Sequence, residues 1–407
     1  MRRAPSSASP PPDCARATPT TSRWSSKPPT TQADRNPLND IQIGGQKRAR
    51  RAYSFDEVAI APSRRTRDPQ EVSTSWTIDA YHFDLPFIAA PMDSVVSPAS
   101  VRALGALGMP AALNLEGVWG RYEDPEPLLR EIAALDGDRV TSRMQEIYST
   151  QPVDLDLVAQ RIADLKAAGV TVVAAVSPQG TAALAPVAAA AGADMIVIRG
   201  TTVSAEHVSG DGVPLNLKEF IHQLDAPVIV GGCATYQAAL HLMRTGAAGV
   251  LVGFGGGSAH TTADVLGVRV PMASAVSDVA AARRDYLDES GGRYVHVIAD
   301  GAMGRSGDIV KAFACGADAA MLGSVLARAT DAPGAGAHWG AEAWHPHLPR
   351  GQRNLLPQVG AFAQVLHGPS DNAEGTLNIV GALRKAMATT GYSDVKEFQR
   401  VEMVVTA

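Results

Sequence analysis

The sequence is poor in cysteine and in aromatic residues, and it has no long apolar run. Only Cys14, Cys233 and Cys315 occur in 407 residues. Three scattered thiols exclude a disulfide scaffold, and no Cys/His spacing resembles a structural zinc site. Such cysteine usage fits a reducing compartment, so a cytoplasmic setting is expected. No apolar run reaches about 18 residues, which argues against a membrane protein. Basic charge is not in excess either: 36 Lys+Arg stand against 41 Asp+Glu, a formal net charge of −5. The distribution is uneven. Residues 1–51 carry ten Lys/Arg against Asp13, Asp34 and Asp40, so they are +7 and the remainder is −12. The body lacks the basic footprint of a nucleic-acid-binding protein. An anion bound there has to be held by local backbone N–H donors rather than by a basic surface.

What is present is ample core material, with 45% hydrophobic residues, which excludes disorder of the whole chain. Residues 1–38 are the exception. They are rich in Ser, Thr, Pro and Arg, with almost no Ile, Val or Leu. Such a segment buries too little apolar surface to offset its ordering entropy, and a disordered tail is expected. A natural tail, an upstream start codon and a transit peptide all remain open; the apolar stretch of a secretory signal is missing. The basic cluster Lys47, Arg48, Arg50 and Arg51 reads as a solvated domain entry.

From Leu85 onward, short apolar runs alternate with Ala-rich helical periods. Eight runs stand at 85–91, 108–114, 169–177, 193–200, 226–232, 247–255, 293–301 and 317–324. They are continuously apolar, as strands buried on both faces are. Helical periods such as 154–169 and 235–247 lie between them, and Gly169, Gly192, Gly246 and Gly316 sit where left-handed helix caps are expected. Alternating strand and helix means a parallel α/β sheet, and eight units point to a single-domain (β/α)8 TIM barrel over residues 39–407. The rival, an open doubly wound sheet, normally has a glycine-rich first turn; here Pro91-Met92-Asp93-Ser94 follows the first strand.

In a barrel, chemistry sits on the loops that follow the strands. After the sixth strand comes Gly253-Phe254-Gly255-Gly256-Gly257-Ser258-Ala259-His260-Thr261-Thr262. Its glycines let backbone approach a ligand closely; Ser258 and nearby amides suit phosphate oxygens, and His260 with the threonines can move protons. After the seventh strand, Asp300 is placed to accept from a sugar diol, while Gly301 and Ala302 offer N–H donors. Asp308 reads as a first-turn helix residue favoured by the dipole. Gly323-Ser324 makes a second donor-rich turn after the eighth strand, adjacent to the first. Taken singly, each turn also fits an ordinary strand–helix connection. Arg199, closing the fourth strand, is either an anion contact or a surface arginine. Cys233 has no adjacent basic residue to activate it and reads as structural, and Cys315 reads as packing.

These loops, in this order, resemble the IMP dehydrogenase/GMP reductase family over about residues 40–405. The motifs are AAPMDSV (89–95), GFGGGSAHTT (253–262), ADGAMGRSGDI (299–309), MLGS (321–324) and DAPG (331–334). The likeness is to the branch without paired CBS domains, because residues 115–168 are too few to hold them. The resemblance implies purine nucleotide metabolism: IMP oxidised to XMP with NAD (a step of GMP biosynthesis), or GMP reduced to IMP with NADPH. It implies Met92 on the base side and Ser258 at the phosphate. Asp300 takes the ribose diol, and Gly301, Ala302, Gly323 and Ser324 surround the phosphate. The carbonyls of Gly253, Gly255 and His260 stand where the family binds potassium. Thr262 belongs to the proton-transfer step, Asp331 replaces the usual Glu, and a homotetramer is implied.

The departures matter as much. His260 stands where the family has its nucleophilic cysteine, and Cys233 where it has an asparagine near the purine. The Arg-Tyr pair of the mobile flap has no clear match in 335–360. Three readings follow: an IMP dehydrogenase-type enzyme with His260 in a catalytic role, a GMP reductase-like enzyme, or a non-catalytic binder of IMP, GMP or XMP. With imidazole in place of the thiolate, NADH formation from IMP by the wild-type chain is expected to be absent or strongly reduced. An ordinary dehydrogenase rate in a spectrophotometric assay would contradict this.

Overall fold

A computed structural model describes residues 40–205, 215–253, 256–349 and 351–406. The tail expected over residues 1–38 lies outside them. Contacts divide the chain into residues 1–51 and 52–407. In the first unit, Asp40–Gln42 and Arg48–Arg50 form an antiparallel hairpin whose residues 41–50 are exposed.

In the second unit, all eight expected strands form one parallel sheet. They are β1 Phe87–Ala89, β2 Ala112–Asn114, β3 Val173–Val176, β4 Met195–Arg199, β5 Val228–Cys233, β6 Gly249–Val252, β7 His296–Asp300 and β8 Ala319–Leu322. The order runs β1-β8-β7-β6-β5-β4-β3-β2. A parallel bridge between Ala89 and Ala111 joins the two ends, with Leu85 and Ala89 donating their N–H to the carbonyls of Gly108 and Pro110 (3.1 and 3.0 Å). The sheet therefore closes into a cylinder. The strands are apolar along most of their length because the packed interior covers one face and helices cover the other; β5, β6 and β8 are buried at every residue.

The helices between the strands end as the glycines suggest, and all four expected cap glycines have left-handed φ. Two of these belong to a repeated tripeptide, Gly192-Ala193-Asp194 before β4 and Gly316-Ala317-Asp318 before β8. In each, the glycine turns the chain out of the helix and the aspartate clamps the entering strand to its predecessor. The Asp194 carboxylate accepts from the N–H of Val172 (2.8 Å) and from Lys166 Nζ (2.8 Å). Asp318 accepts from the N–H of Val297 (2.8 Å), Arg283 Nη1 (2.6 Å), Tyr294 Oη (2.6 Å) and Gln399 Nε2 (2.9 Å). It thereby ties the long helix Met272–Glu289 and β7 to the carboxyl-terminal segment. Burial opposes ionisation of Asp318, but Arg283, His296, Lys396 and the Tyr294 hydroxyl outweigh it and hold its carboxyl below the usual range.

Two helices, Glu126–Ala134 and Val140–Thr150, lie between β2 and the helix Leu155–Ala167 and were not anticipated from the sequence. Together with the loop after β1 they position the segment 337–344. Trp339 Nε1 donates to Tyr148 Oη (3.0 Å), which donates to Asp93 Oδ2 (2.7 Å); the Val118 N–H donates to the same oxygen (3.1 Å). Trp344 stacks on Tyr148 with centroids 4.2 Å apart and planes at 4°. Asp93 Oδ1 is buried with no hydrogen-bond partner among the described residues. Burial pushes the Asp93 carboxyl up to about 6, despite the bonds from Tyr148 and Val118 and the charge of Arg121.

The two carboxylates predict opposite pH behaviour. The folded pKa of Asp318 is depressed, so its stabilisation is present above the unfolded pKa and is lost as pH falls through the folded one. Asp318→Ala leaves Arg283 buried without its anion and is expected to destabilise by about 3–5 kcal/mol at neutral pH. The folded pKa of Asp93 is raised, so stability is lost as pH rises from about 4 to 6, by roughly 3 kcal/mol in all. Asp93→Asn removes this dependence. Urea unfolding at pH 4 and 7 should show the variant gaining on wild type as pH rises, and a constant difference would refute the assignment.

Candidate functional site

Four charged or titratable side chains form a row at the carboxyl-terminal mouth of the barrel, each delivered by a different element. Arg199 is the last residue of β4 and Asp300 the last of β7. His260 comes from the loop after β6, and Glu342 from the four-residue helix Ala341–Trp344. Arg199 Nε donates to Asp300 Oδ2 (2.9 Å), and both side chains are largely buried. Arg199 Nη2 lies 3.5 Å from His260 Nε2. On the other side of the ring, Nδ1 lies 3.6 Å from Glu342 Oε1. The two carboxylates flank the Arg199 guanidinium and the His260 imidazole, so each carboxylate faces a group that can donate to it. The partner of Arg199 is the very aspartate expected to hold the ribose.

Glu342 is the hub of this arrangement, although nothing in the sequence singled it out. Its side chain is only 3% exposed. Besides His260, it faces Thr262 Oγ1 (2.9 Å), Thr201 Oγ1 (3.3 Å) and the Thr261 N–H (3.2 Å). Burial would push its carboxyl up, but the interactions with His260, Thr261 and Thr262 prevail and hold it below the usual range. Thr262, expected in proton transfer, is itself buried and spends its hydroxyl hydrogen on this carboxylate. The backbone adds to the tie, because the Gly351 N–H donates to Glu342 O (3.0 Å) and Asn354 Nδ2 donates to Ser258 O. The segment 337–354 is therefore bonded to the loop after β6.

Beside the row, Met92, His338 and two glycines form an apolar wall. A Cβ placed on Gly340 would lie 3.2 Å from Met92 Cε and 3.3 Å from His260 Cε1; one on Gly323 would lie 3.3 Å from Met92 Sδ and 3.5 Å from His338 Cε1. Backbone can approach this closely only without a side chain. Burial, reinforced by the Arg328 guanidinium, pushes the His338 imidazole down to about 4, so it is neutral at physiological pH. Its Nδ1 lies 3.3 Å from Ser94 Oγ.

The expected phosphate residues are partly assembled. Asp300 stands in register with Met321, so Gly323 and Ser324 follow two and three residues beyond that partner, just after the neighbouring strand ends at Leu322. Gly301 has φ +105° and Ala302 φ +57°. The Ala302 N–H, expected as a phosphate donor, already donates to Gly256 O (3.1 Å) and clips the loops after β6 and β7 together. The side chain of Ser258 is exposed. Among the three glycine and histidine carbonyls expected at a potassium ion, Gly255 lies outside the described residues, while Gly253 and His260 lie on the two arms of the loop. Asp331 does not join the mouth. It is exposed, and Oδ1 accepts from the N–H of Phe362 (2.9 Å) at the start of the helix Phe362–His367, which is the work of a helix cap. Cys233 ends β5 beside the mouth; burial pushes its thiol up to about 12, and Sγ donates to Leu251 O (3.4 Å). Asp308 does lie in the first turn of the helix Ser306–Ala314.

Residues the sequence did not reveal are Glu342, Thr201, Tyr148 and the Asp93 carboxylate. The one available signal for Glu342 is a lone acid in the Gly-, Ala- and Trp-rich stretch 334–344.

Comparison with known proteins agrees with this geometry. The profile of the IMP dehydrogenase / GMP reductase domain matches residues 52–344. An uncharacterized oxidoreductase of Mycobacterium tuberculosis is 52% identical over 374 residues, covering 90% of this chain and 99% of that protein. An inosine-5'-monophosphate dehydrogenase of Thermoplasma acidophilum is 46% identical over 144 residues, which are 35% of this chain and 27% of that protein. The crystal structure of an IMP dehydrogenase/GMP reductase-like protein from Corynebacterium glutamicum is 47% identical with a TM-score of 0.86, covering 90% of this chain and 98% of that one. A barrel whose mouth carries Met92, Asp300 and the Gly323–Ser324 turn in matching order, and whose sequence matches that profile from Ala52 to Trp344, belongs to the IMP dehydrogenase/GMP reductase family.

Proposed function

We propose that the chain binds a purine 5′-monophosphate at the barrel mouth and acts on it as an oxidoreductase of the IMP dehydrogenase type, at a rate strongly reduced by His260 standing where the family has its thiolate. The observation that carries this reading is the Asp300 carboxylate beside the Gly323–Ser324 turn, with Met92 lying between that turn and the Gly340 backbone next to His260. A carboxylate accepts both hydroxyls of a ribose diol, and a bare turn at a helix start suits a phosphate monoester. The ligand is then held by fixed dipoles, as an acidic body requires. In the overall conversion, purine C2 loses a hydride and gains an oxygen from water, with release of a proton.

Among the described residues, no side chain at the mouth accepts a hydride, and Cys233 is a buried, unactivated thiol. That chemistry comes from NAD or NADP when bound. A Cβ on Gly253 would lie 2.4 Å from Asp300 O, so this backbone stays bare. Its carbonyl, with those of Gly255 and His260, would hold a potassium ion that orders the loop. What this chain itself does is orient: Asp300 fixes the ribose, Arg199 fixes Asp300, and Glu342 with Thr262 fixes the loop that carries His260. The family resemblance supports a homotetramer, and the sparse cysteines support a cytoplasmic setting; no helix among the described residues is long and apolar enough to cross a membrane.

Titration calorimetry with IMP, GMP and XMP tests the reading. At least one of them should bind, and Asp300→Asn should weaken that binding by about 10- to 100-fold through loss of a charge-assisted hydrogen bond. Absence of heat with all three nucleotides would overturn it.

A further inference from the structure

His260 lies between two groups whose hydrogen-bonding abilities leave no freedom of sign. A guanidinium has only donors, and an ionised carboxylate has only acceptors. The ring nitrogen that faces Arg199 Nη2 at 3.5 Å is Nε2, and the one that faces Glu342 Oε1 at 3.6 Å is Nδ1. A hydrogen on Nε2 would point at an arginine N–H. A bare lone pair on Nδ1 would point at a carboxylate. The arrangement is satisfied only with the hydrogen on Nδ1 and the lone pair on Nε2.

We propose that Glu342 is the positioning residue of the site. It holds His260 as the Nδ1–H tautomer through the electrostatic pull of the facing carboxylate, with Nε2 directed at Arg199, so that the ring is a fixed link in the row and not a substitute nucleophile. Four observations independent of His260 keep Glu342 in place for this task. Its carboxylate is buried. Thr262 Oγ1 and Thr201 Oγ1 donate to Oε1, and the Thr261 N–H donates to Oε2. The Gly351 N–H holds its own carbonyl. Every partner of the side chain is a donor, which only a carboxylate satisfies in full. The chain then continues to Asp300, because Arg199 bonds Asp300 through Nε and faces His260 through Nη2. Glu342 thus orders, two residues away, the acid that would take the ribose. The tautomer assignment needs only the geometry; its consequence for chemistry rests on the nucleotide site proposed above.

The test is a nitrogen-15 spectrum of the full chain labelled at histidine, with the His260 signals assigned by their loss in His260→Gln. Wild type should show Nδ1 protonated and Nε2 unprotonated. In Glu342→Ala the single-tautomer signature should be lost, and Glu342→Gln, whose amide oxygen still attracts the Nδ1 hydrogen, should restore it. A wild-type spectrum with the hydrogen on Nε2, or an unchanged spectrum in Glu342→Ala, would overturn the proposal. Should Glu342→Ala fail to fold, the wild-type tautomer and the Glu342→Gln spectrum decide it. Incubation with IMP and NAD should leave the intact mass unchanged, and a nucleotide adduct mapped to His260 would also overturn the proposal. Calorimetry on the same wild-type sample keeps the two ideas apart: absence of nucleotide binding with the Nδ1–H spectrum intact defeats the proposed function and leaves the tautomer standing.

Discussion

Eight parallel strands of three to six residues have to close into one cylinder, and everything else in the molecule depends on that closure. Strands this short have little pairing energy of their own, so their entry points must be held from outside. Gly-Ala-Asp does this twice, before β4 and before β8. The glycine ends the helix in left-handed backbone, and the aspartate takes an N–H from the neighbouring strand and a charge from a helix. The clamps sit at the amino-terminal ends of the strands. The carboxyl-terminal ends are therefore free to converge as a ring of loops, and chemistry is built there.

At the mouth the same physics runs with the opposite purpose. Arg199 compensates Asp300, while threonine and backbone donors surround Glu342, in a low-dielectric setting where an isolated charge would be costly to bury. The row binds together elements far apart in the chain: β4, β7, the loop after β6 and the helix at 341–344. The second tie, from Trp339 through Tyr148 to Asp93, anchors the same segment to the loop after β1. The contrast between Asp318 and Asp93 shows how such ties differ. Asp318 is surrounded by donors and cations and stays ionised. Asp93 has one oxygen with no partner among the described residues and is pushed toward protonation.

Much of this was legible in the sequence. The eight strands declare themselves because burial on both faces demands uninterrupted apolar runs, and the cap glycines because left-handed backbone excludes most other residues. The motif order around Met92, Asp300 and Gly323 was enough to point to the family. Individual roles were less legible. Asp331 stands in a matching motif, yet its carboxylate serves the N–H of Phe362. Ala302 has the right place for an anion donor, yet its N–H is committed to Gly256. A motif reports where a residue falls on the chain and not which donor reaches it first.

By itself the sequence determined the barrel and the position of its mouth. These are properties of local pattern and of residue identity, which a linear reading holds in full. Only the tertiary structure decided that Glu342 faces His260, 82 positions earlier in the chain, and three threonine donors. Nor did the sequence reveal that Arg199 belongs to Asp300. Hydrogen-bond partnership depends on distances of about 3 Å between atoms, and such distances exist only once the strands have closed and brought remote segments to one ring.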